Sequence, residues 1–240
     1  MQVMKRAIIY IGYFIFLFVY CSCKRETPKL GSVAAITIVN AAIGSESVSV
    51  NFSDPVTPFY LNTATVSPGS SSEYSLPTGK TPVVIVSLSD TTEAIYQNSL
   101  DLKGGDIYSL YLIGQEQPKQ IEGLLVRDTI PVYTDSLSAV RFVDLSPDAG
   151  QLSIVLQGNS PSQPEFGELN YRQISAFKPY PATNDIGGAY TFEIRNRGTG
   201  DLLQTFAWSY TLRKSNTLVI YGSIDPSSPA PLGVIQINNF

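Results

Sequence analysis

Residues Ala139–Gly158 read AVRFVDLSPDAGQLSIVLQG, and the reading of this stretch decides the fold. Val140, Phe142 and Leu145, then Leu152, Ile154 and Leu156, place apolar residues at largely alternate positions, the period of a half-buried strand. Between them Ser146-Pro147-Asp148-Ala149 has the chemistry of a type I turn. Serine suits the first position, Pro147 fixes φ at the second, and Asp148 can bond the backbone ahead of it. The expectation is a hairpin that opens a β domain, with Asp148 setting backbone geometry.

The same texture extends both ways. Downstream, strands are expected over Gly167–Ser175, Ala189–Arg195, Leu202–Leu212, Thr217–Tyr221 and Leu232–Phe240, with FKPYPATNDIGG at Phe177–Gly188 as a long irregular connection. Upstream they are expected near Ala35–Asn40, Ser47–Phe52, Phe59–Val66, Pro82–Val86, Ala94–Leu102, Ile107–Ile113 and Leu124–Val132. Lys103-Gly104-Gly105-Asp106 and Lys214-Ser215-Asn216 read as hairpin turns. The serine- and glycine-rich segment Ser67–Lys80 reads as a solvated loop. No window carries helical periodicity, so the fold class expected is all-β.

The chain is built twice. ITIVNAAIGSESVSVNF from Ile36 lies over VRFVDLSPDAGQLSIVL from Val140, and Ser99–Gly114 resembles Ser209–Ile224. With about seven short strands in each half, this predicts two tandem immunoglobulin-like β-sandwich domains, 33–133 and 134–240.

Composition narrows the chemistry. The chain has 240 residues, no histidine, a formal net charge of −4 and only 15% charged residues. Without histidine, Ser-His-Asp and Cys-His nucleophile systems and His-containing zinc sites are excluded. Basic residues are scattered, which leaves no nucleic-acid footprint. Cysteine occurs only at Cys21 and Cys23, so the body of the chain has neither a disulfide nor a thiolate.

Those two cysteines belong to an address. Lys5 and Arg6 precede the apolar run from Ala7 to Tyr20, which is short for a membrane span, at roughly 20 residues, and suits a signal-peptide core. The arrangement resembles a bacterial lipoprotein signal. Cys23 is the expected lipidation site because small Ser22 precedes it, whereas bulky Tyr20 precedes Cys21. Residues 1–22 are then the signal peptide and 23–32 a tether.

VRFVDLSPDAGQLSI resembles the signature of the domain-of-unknown-function family numbered 4397, with its V-R-F-x-[ND]-x-S-P-D-A core. In the first half Ala41-Ala42-Ile43-Gly44 replaces the SPDA turn, so that half reads as a degenerate copy. The resemblance implies paired β-sandwiches in bacterial surface proteins, lipoproteins among them. It brings no catalytic residues.

Candidate sites are few. Asp144 and Asp148 bracket the turn, but calcium needs six to eight oxygens and no Asp/Asn-rich loop surrounds them; turn roles are expected, and no metal or cofactor. Glu165 with Glu168, or Asp185 with Glu193, are carboxylate pairs on paper without a nucleophile or metal motif beside them. Aromatic residues gather in the second half. Phe177 and Tyr180, bracketed by Pro179 and Pro181, are the expected ligand-binding rings, and Trp208 is expected in the core. The function expected is a non-catalytic, lipid-anchored cell-envelope protein, at the outer membrane or cell surface, of structural or ligand-binding type. Its partner would be a glycan or peptide. The alternatives are a scaffold subunit docking another surface protein and a glycan-active hydrolase.

Overall fold

In the computed structural model, which describes residues 32–53, 65–115, 120–183 and 189–239, the regular elements are all strands. The first eight are β1 (Val33–Asn40), β2 (Val48–Asn51), β3 (Thr65–Val66), β4 (Ser70–Pro77), β5 (Gly79–Ser87), β6 (Ala94–Leu102), β7 (Ile107–Gln115) and β8 (Gln120–Asp128). They form two four-stranded sheets, ordered β4-β1-β7-β8 and β3-β2-β5-β6. The next eight are β9 (Leu137–Asp144), β10 (Leu152–Leu156), β11 (Phe166–Leu169), β12 (Lys178–Pro181), β13 (Ala189–Asn196), β14 (Leu202–Ser209), β15 (Ser215–Tyr221) and β16 (Gly233–Asn239). They repeat the plan strand for strand, as β12-β9-β15-β16 and β11-β10-β13-β14. The fold is all-β and sandwich-like.

Register matches between the halves. β1 runs parallel to β7 with Ile38 opposite Leu110, and β9 runs parallel to β15 with Phe142 opposite Leu218. Val48 pairs with Val66, and Leu152 with Leu169. This spacing keeps Ile36 over Val140 as expected and sets Ala42-Ile43-Gly44-Ser45 against the SPDA turn, one residue on from the Ala41–Gly44 expected there. It also shifts the second expected match by two residues, so that Gly114 corresponds to Gly222. Both of these glycines have positive φ, 96° and 86°.

Ala139–Gly158 is not a hairpin. β9 and β10 lie in different sheets, and residues 145–151 carry the chain between them, a step of about 10 Å. Burial and pairing explain the arrangement. Val140 and Phe142 enter one apolar cluster while Val143 and Leu145 enter another, so β9 is covered on both faces. Both edges of β9 are also taken, by β12 and β15, so β10 has no edge of β9 to pair with and enters the other sheet. The turns at Gly104-Gly105 and near Arg213 likewise cross between sheets, from β6 to β7 and from β14 to β15.

Other boundaries move for stated reasons. Most of the expected Ser67–Lys80 loop is strand β4, paired antiparallel with β1 from Asn40↔Ser70 to Val33↔Pro77. Only Leu76 of its eight residues is buried, so backbone pairing more than apolar burial holds it, and composition gives no signal of that. Within the expected Phe177–Gly188 connection lies β12, which pairs with β9 despite Pro179 and Pro181. It is the edge strand of its sheet, where a residue without an N–H is tolerated. β8 ends at Asp128 instead of Val132, and β11 ends at Leu169. Of the expected strand Phe59–Val66, residues 59–64 lie outside the described residues. So do Cys23 and the whole of 1–31.

Residues 32–240 form one compact unit with three apolar clusters. Ile36, Ile38, Val50, Ile85, Leu110 and Leu112 centre the first half. Phe142, Ile154, Phe192, Ile194, Trp208 and Leu218 centre the second. The third joins the halves: Val39, Tyr111 and Ile113 meet Val143, Val219 and Ile237, so sheet β4-β1-β7-β8 faces sheet β12-β9-β15-β16. That face-to-face joint positions the site.

Candidate functional site: an aromatic cleft where the halves meet

At one side of the joint lies a buried ion pair between the halves. Arg141 on β9 reaches Asp128 at the end of β8, Nη2 to Oδ1 at 2.5 Å, with side chains only 6% and 2% exposed. Neither charge is left to fend for itself. Ser109 Oγ donates to Asp128 Oδ2 at 2.7 Å, and Arg141 Nε donates to Thr217 Oγ1 at 2.9 Å. Asn239 Nδ2 donates to the same Thr217 oxygen. Burying unpaired charges would cost several kcal/mol each, so the network is what allows two ions in the joint. Beside it the Tyr111 hydroxyl is buried with no hydrogen bond, and burial pushes its pKa up to about 12.

Arg141 also forms the wall of a cleft of about 420 Å³. The other walls are Arg127 and Thr129 from the end of β8, Pro131 and Tyr133 from the segment joining the halves, and Ser175, Ala176 and Phe177 before β12. Local hydrogen bonds hold these pieces in place. Ser175 N donates to Phe142 O, Phe142 N donates to Ser175 Oγ, and Ser215 Oγ donates to Pro131 O. Phe177 is thereby set with the Arg141 guanidinium over its ring, 4.7 Å from the centroid. Phe177 and Tyr133 are both half-buried, so each ring keeps open surface.

Arg141 has not spent all its capacity. Nε and Nη2 are used as described, and Nη1 donates no hydrogen bond to the described residues. Arg127 holds Asp106 through Nε at 2.7 Å and Nη2 at 2.8 Å while its side chain stays 64% exposed. Arg141 was not among the residues singled out by sequence. Within VRFVDL it reads as the outward residue of a half-buried strand, and only a second sheet over that face makes it buried.

The two rings expected to act together are separated. Tyr180 is buried at 6% exposure and packs on Tyr190, Phe192 and Trp208 with centroids 5.1, 5.7 and 5.7 Å away. Its hydroxyl donates to Glu165 Oε2 at 2.8 Å, and burial together with that carboxylate raises its pKa. Membership of β12 turns Tyr180 into the core, where it has no open face for a ligand. Trp208 is fully buried, with Nε1 donating to Asn216 Oδ1 at 2.9 Å.

The SPDA residues line a different cleft, of about 520 Å³, shared by both copies of the turn. Pro147 and Asp148 stand on one side, Ile43 and Gly44 on another, with Gln115 and the β15–β16 loop completing it. Asp148 does not cap its own turn, which no backbone hydrogen bond closes. It accepts instead from Ser223 Oγ and from Ile224 N at 3.1 Å, in the loop after β15, and from Ser146 Oγ at 3.3 Å. Burial works against the charged form, but these donors outweigh it and hold the pKa low. Asp225 is similarly engaged by Ser227 N and Oγ. Ala149 is buried and accepts from Asn196 Nδ2 at 2.9 Å. These groups satisfy one another, so this cleft has less left to offer a ligand than the one at Phe177.

The carboxylates weighed as acid–base pairs are also engaged. Glu165 contacts Lys178 at 2.6 Å, Glu168 contacts Arg197 at 3.1 Å and Glu193 contacts Arg195 at 2.8 Å. Asp185 lies outside the described residues. Among the described residues no group of three or more Cys, Asp or Glu side chains is placed to hold a metal ion.

The family described as "Domain of unknown function (DUF4397)" matches residues 34–155, from β1 into β10. The chain belongs to the DUF4397 family. The DUF4397 match takes in the whole first half, whose turn is the weaker copy, and ends inside the stretch whose motif is the stronger. No curated protein matches the chain. Among solved structures, the chain is similar to the TIE protein of Bacillus anthracis, at 14% identity and a TM-score of 0.25 over 80% of this chain and 34% of that one. It is also similar to CBMbc, a family 26 carbohydrate-binding module of Eubacterium rectale Amy13K solved with maltoheptaose. That likeness has 12% identity and a TM-score of 0.25, over 84% of this chain and 95% of that one. The chain spans about a third of the length of the first of these.

Proposed function

We propose that this DUF4397 protein is a non-catalytic binding module of the bacterial cell envelope that takes a saccharide in the Phe177 cleft. It consists of two tandem immunoglobulin-like β-sandwiches, and lipid on Cys23 tethers it to the outer membrane or cell surface. The anchor rests on the sequence of residues 5–23 alone: basic start, apolar core, then cysteine after a small residue. The absence of an acid–base role rests on carboxylates already committed to Lys178, Arg197 and Arg195.

One observation carries the saccharide reading: Phe177 and Tyr133 retain open aromatic surface in a cleft that also contains hydroxyl and guanidinium donors. A pyranose presents C–H faces for a ring to stack on and hydroxyls for such donors to meet. The cleft volume falls in the roughly 300–1,000 Å³ range of small-molecule sites. A glycan array with the soluble domain identifies ligands, and titration calorimetry compares Phe177→Ala with the parent. Loss of binding with an unchanged unfolding midpoint is expected. Full affinity in that variant would place the ligand elsewhere, and release of cleaved sugar would replace the module by a hydrolase.

A further inference from the structure

Resting on the saccharide reading of the same cleft, we propose that its ligand is an acidic saccharide whose carboxylate is received by the Arg141 and Arg127 guanidinium groups. The cleft wall contains two guanidinium groups and no carboxylate. Each is fixed in advance by its own acid: Arg141 by Asp128 inside the joint, and Arg127 by Asp106 through two N–H groups. A guanidinium anchored in this way loses little further freedom when it binds.

Arg141 makes the stronger half of the argument. Its side chain is 94% buried by the 6% that remains exposed, yet Nη1 has no acceptor among the described residues. Arg141 is among the residues that wall this cleft, with its guanidinium over the Phe177 ring. A charged donor edge at the base of a cleft calls for an acceptor, and an anionic one makes the hydrogen bond charge-assisted on both sides. Phe177, stacked on that guanidinium, places the aromatic surface beside it. A sugar ring bearing a carboxylate joins both features in one residue: its ring against the aromatic surface that Arg141 leaves open, its oxyanion on a guanidinium.

Because Asp106 and Asp128 already balance the two cations, long-range attraction is weak and selectivity has to come from these short contacts. Charge-assisted hydrogen bonds of this kind correspond to a preference on the order of tenfold or more. The test is calorimetry of the soluble chain with an oligogalacturonate and with the same oligomer methyl-esterified, which keeps shape and removes charge. The acid form is expected to bind at least about tenfold tighter, and Arg127→Gln, on an exposed side chain, is expected to narrow that gap. Equal affinity for the two forms, or preference for the ester, would overturn the acidic-ligand inference and leave the saccharide reading standing. A gap unchanged in both Arg127→Gln and Arg141→Lys, each shown to be folded, would also overturn it. Binding of neither form, with an acidic peptide bound instead, would overturn both.

Discussion

Asn40 and Asp144 occupy the same position in the two halves, each the last residue of a central strand, paired in parallel with Leu112 and Ile220. Asn40 is fully employed. Its Nδ2 donates to Glu46 O at 2.9 Å and to Val66 O at 3.4 Å, and its Oδ1 accepts from Ser45 Oγ at 2.8 Å. Asp144 is buried with Oδ1 accepting from Ser146 N at 3.0 Å and Oδ2 without a partner. Where the asparagine donates, an ionised carboxylate cannot. Burial pushes the Asp144 pKa up to about 7, only partly opposed by the Ser146 N–H.

This difference makes stability depend on pH. With a folded pKa raised above the unfolded value near 4, the folded chain keeps a proton that the unfolded chain releases. Stability therefore falls as pH rises from about 4 to about 7 and levels off above, by an amount on the order of a few kcal/mol. Asp144→Asn is expected to abolish that slope and to be the more stable protein at neutral pH. Urea unfolding of both chains across this range measures it; parallel curves would show that Asp144 ionises freely in the folded state.

The Arg141–Asp128 pair is expected to be costly to break and cheap to replace. Asp128→Ala strands a buried guanidinium and should cost about 3–5 kcal/mol. The double variant Asp128→Leu with Arg141→Met fills the same space without charge and should regain most of the loss. Denaturant midpoints of the two variants decide, and a double variant as unstable as the single one would contradict the assignment.

Gly222 is expected to resist substitution more than Gly158. Both have positive φ, but a β-carbon on Gly222 would be driven into the carbonyl oxygens of Pro231 and Ala230, whereas none meets an atom near Gly158. Gly158→Ala should lose about 1 kcal/mol from backbone strain alone, and Gly222→Ala about 2 kcal/mol or more. Thermal unfolding of the pair separates clash from strain.

Mass spectrometry of the mature chain checks the anchor. A diacylglyceryl modification on Cys23 as the first residue is expected, and Cys23→Ser should release the chain from membranes. An intact Met1 terminus would refute the lipoprotein reading.

The sequence by itself determined the strand class and the doubling. Period-two patterning, dense β-branched and aromatic residues and the repeat of Ile36–Phe52 in Val140–Leu156 are local properties of the chain, and local properties suffice for both. The absence of histidine removed whole classes of chemistry for the same reason. What only the tertiary structure decided is which strands share a sheet and which residues become neighbours. A strand–turn–strand run reads the same whether it closes a hairpin or crosses from sheet to sheet, so β9 and β10 looked paired when they are not. β4 and β12 were hidden because the serines of the one and the two prolines of the other read as loop, whereas pairing with β1 and β9 makes them strands. Of the candidate rings, Phe177 stayed at a cleft while one strand's geometry took Tyr180 into the core. Arg141 became a wall of that cleft only because a second sheet covers its strand and brings Asp128 within 2.5 Å, a meeting that no spacing along the chain announces.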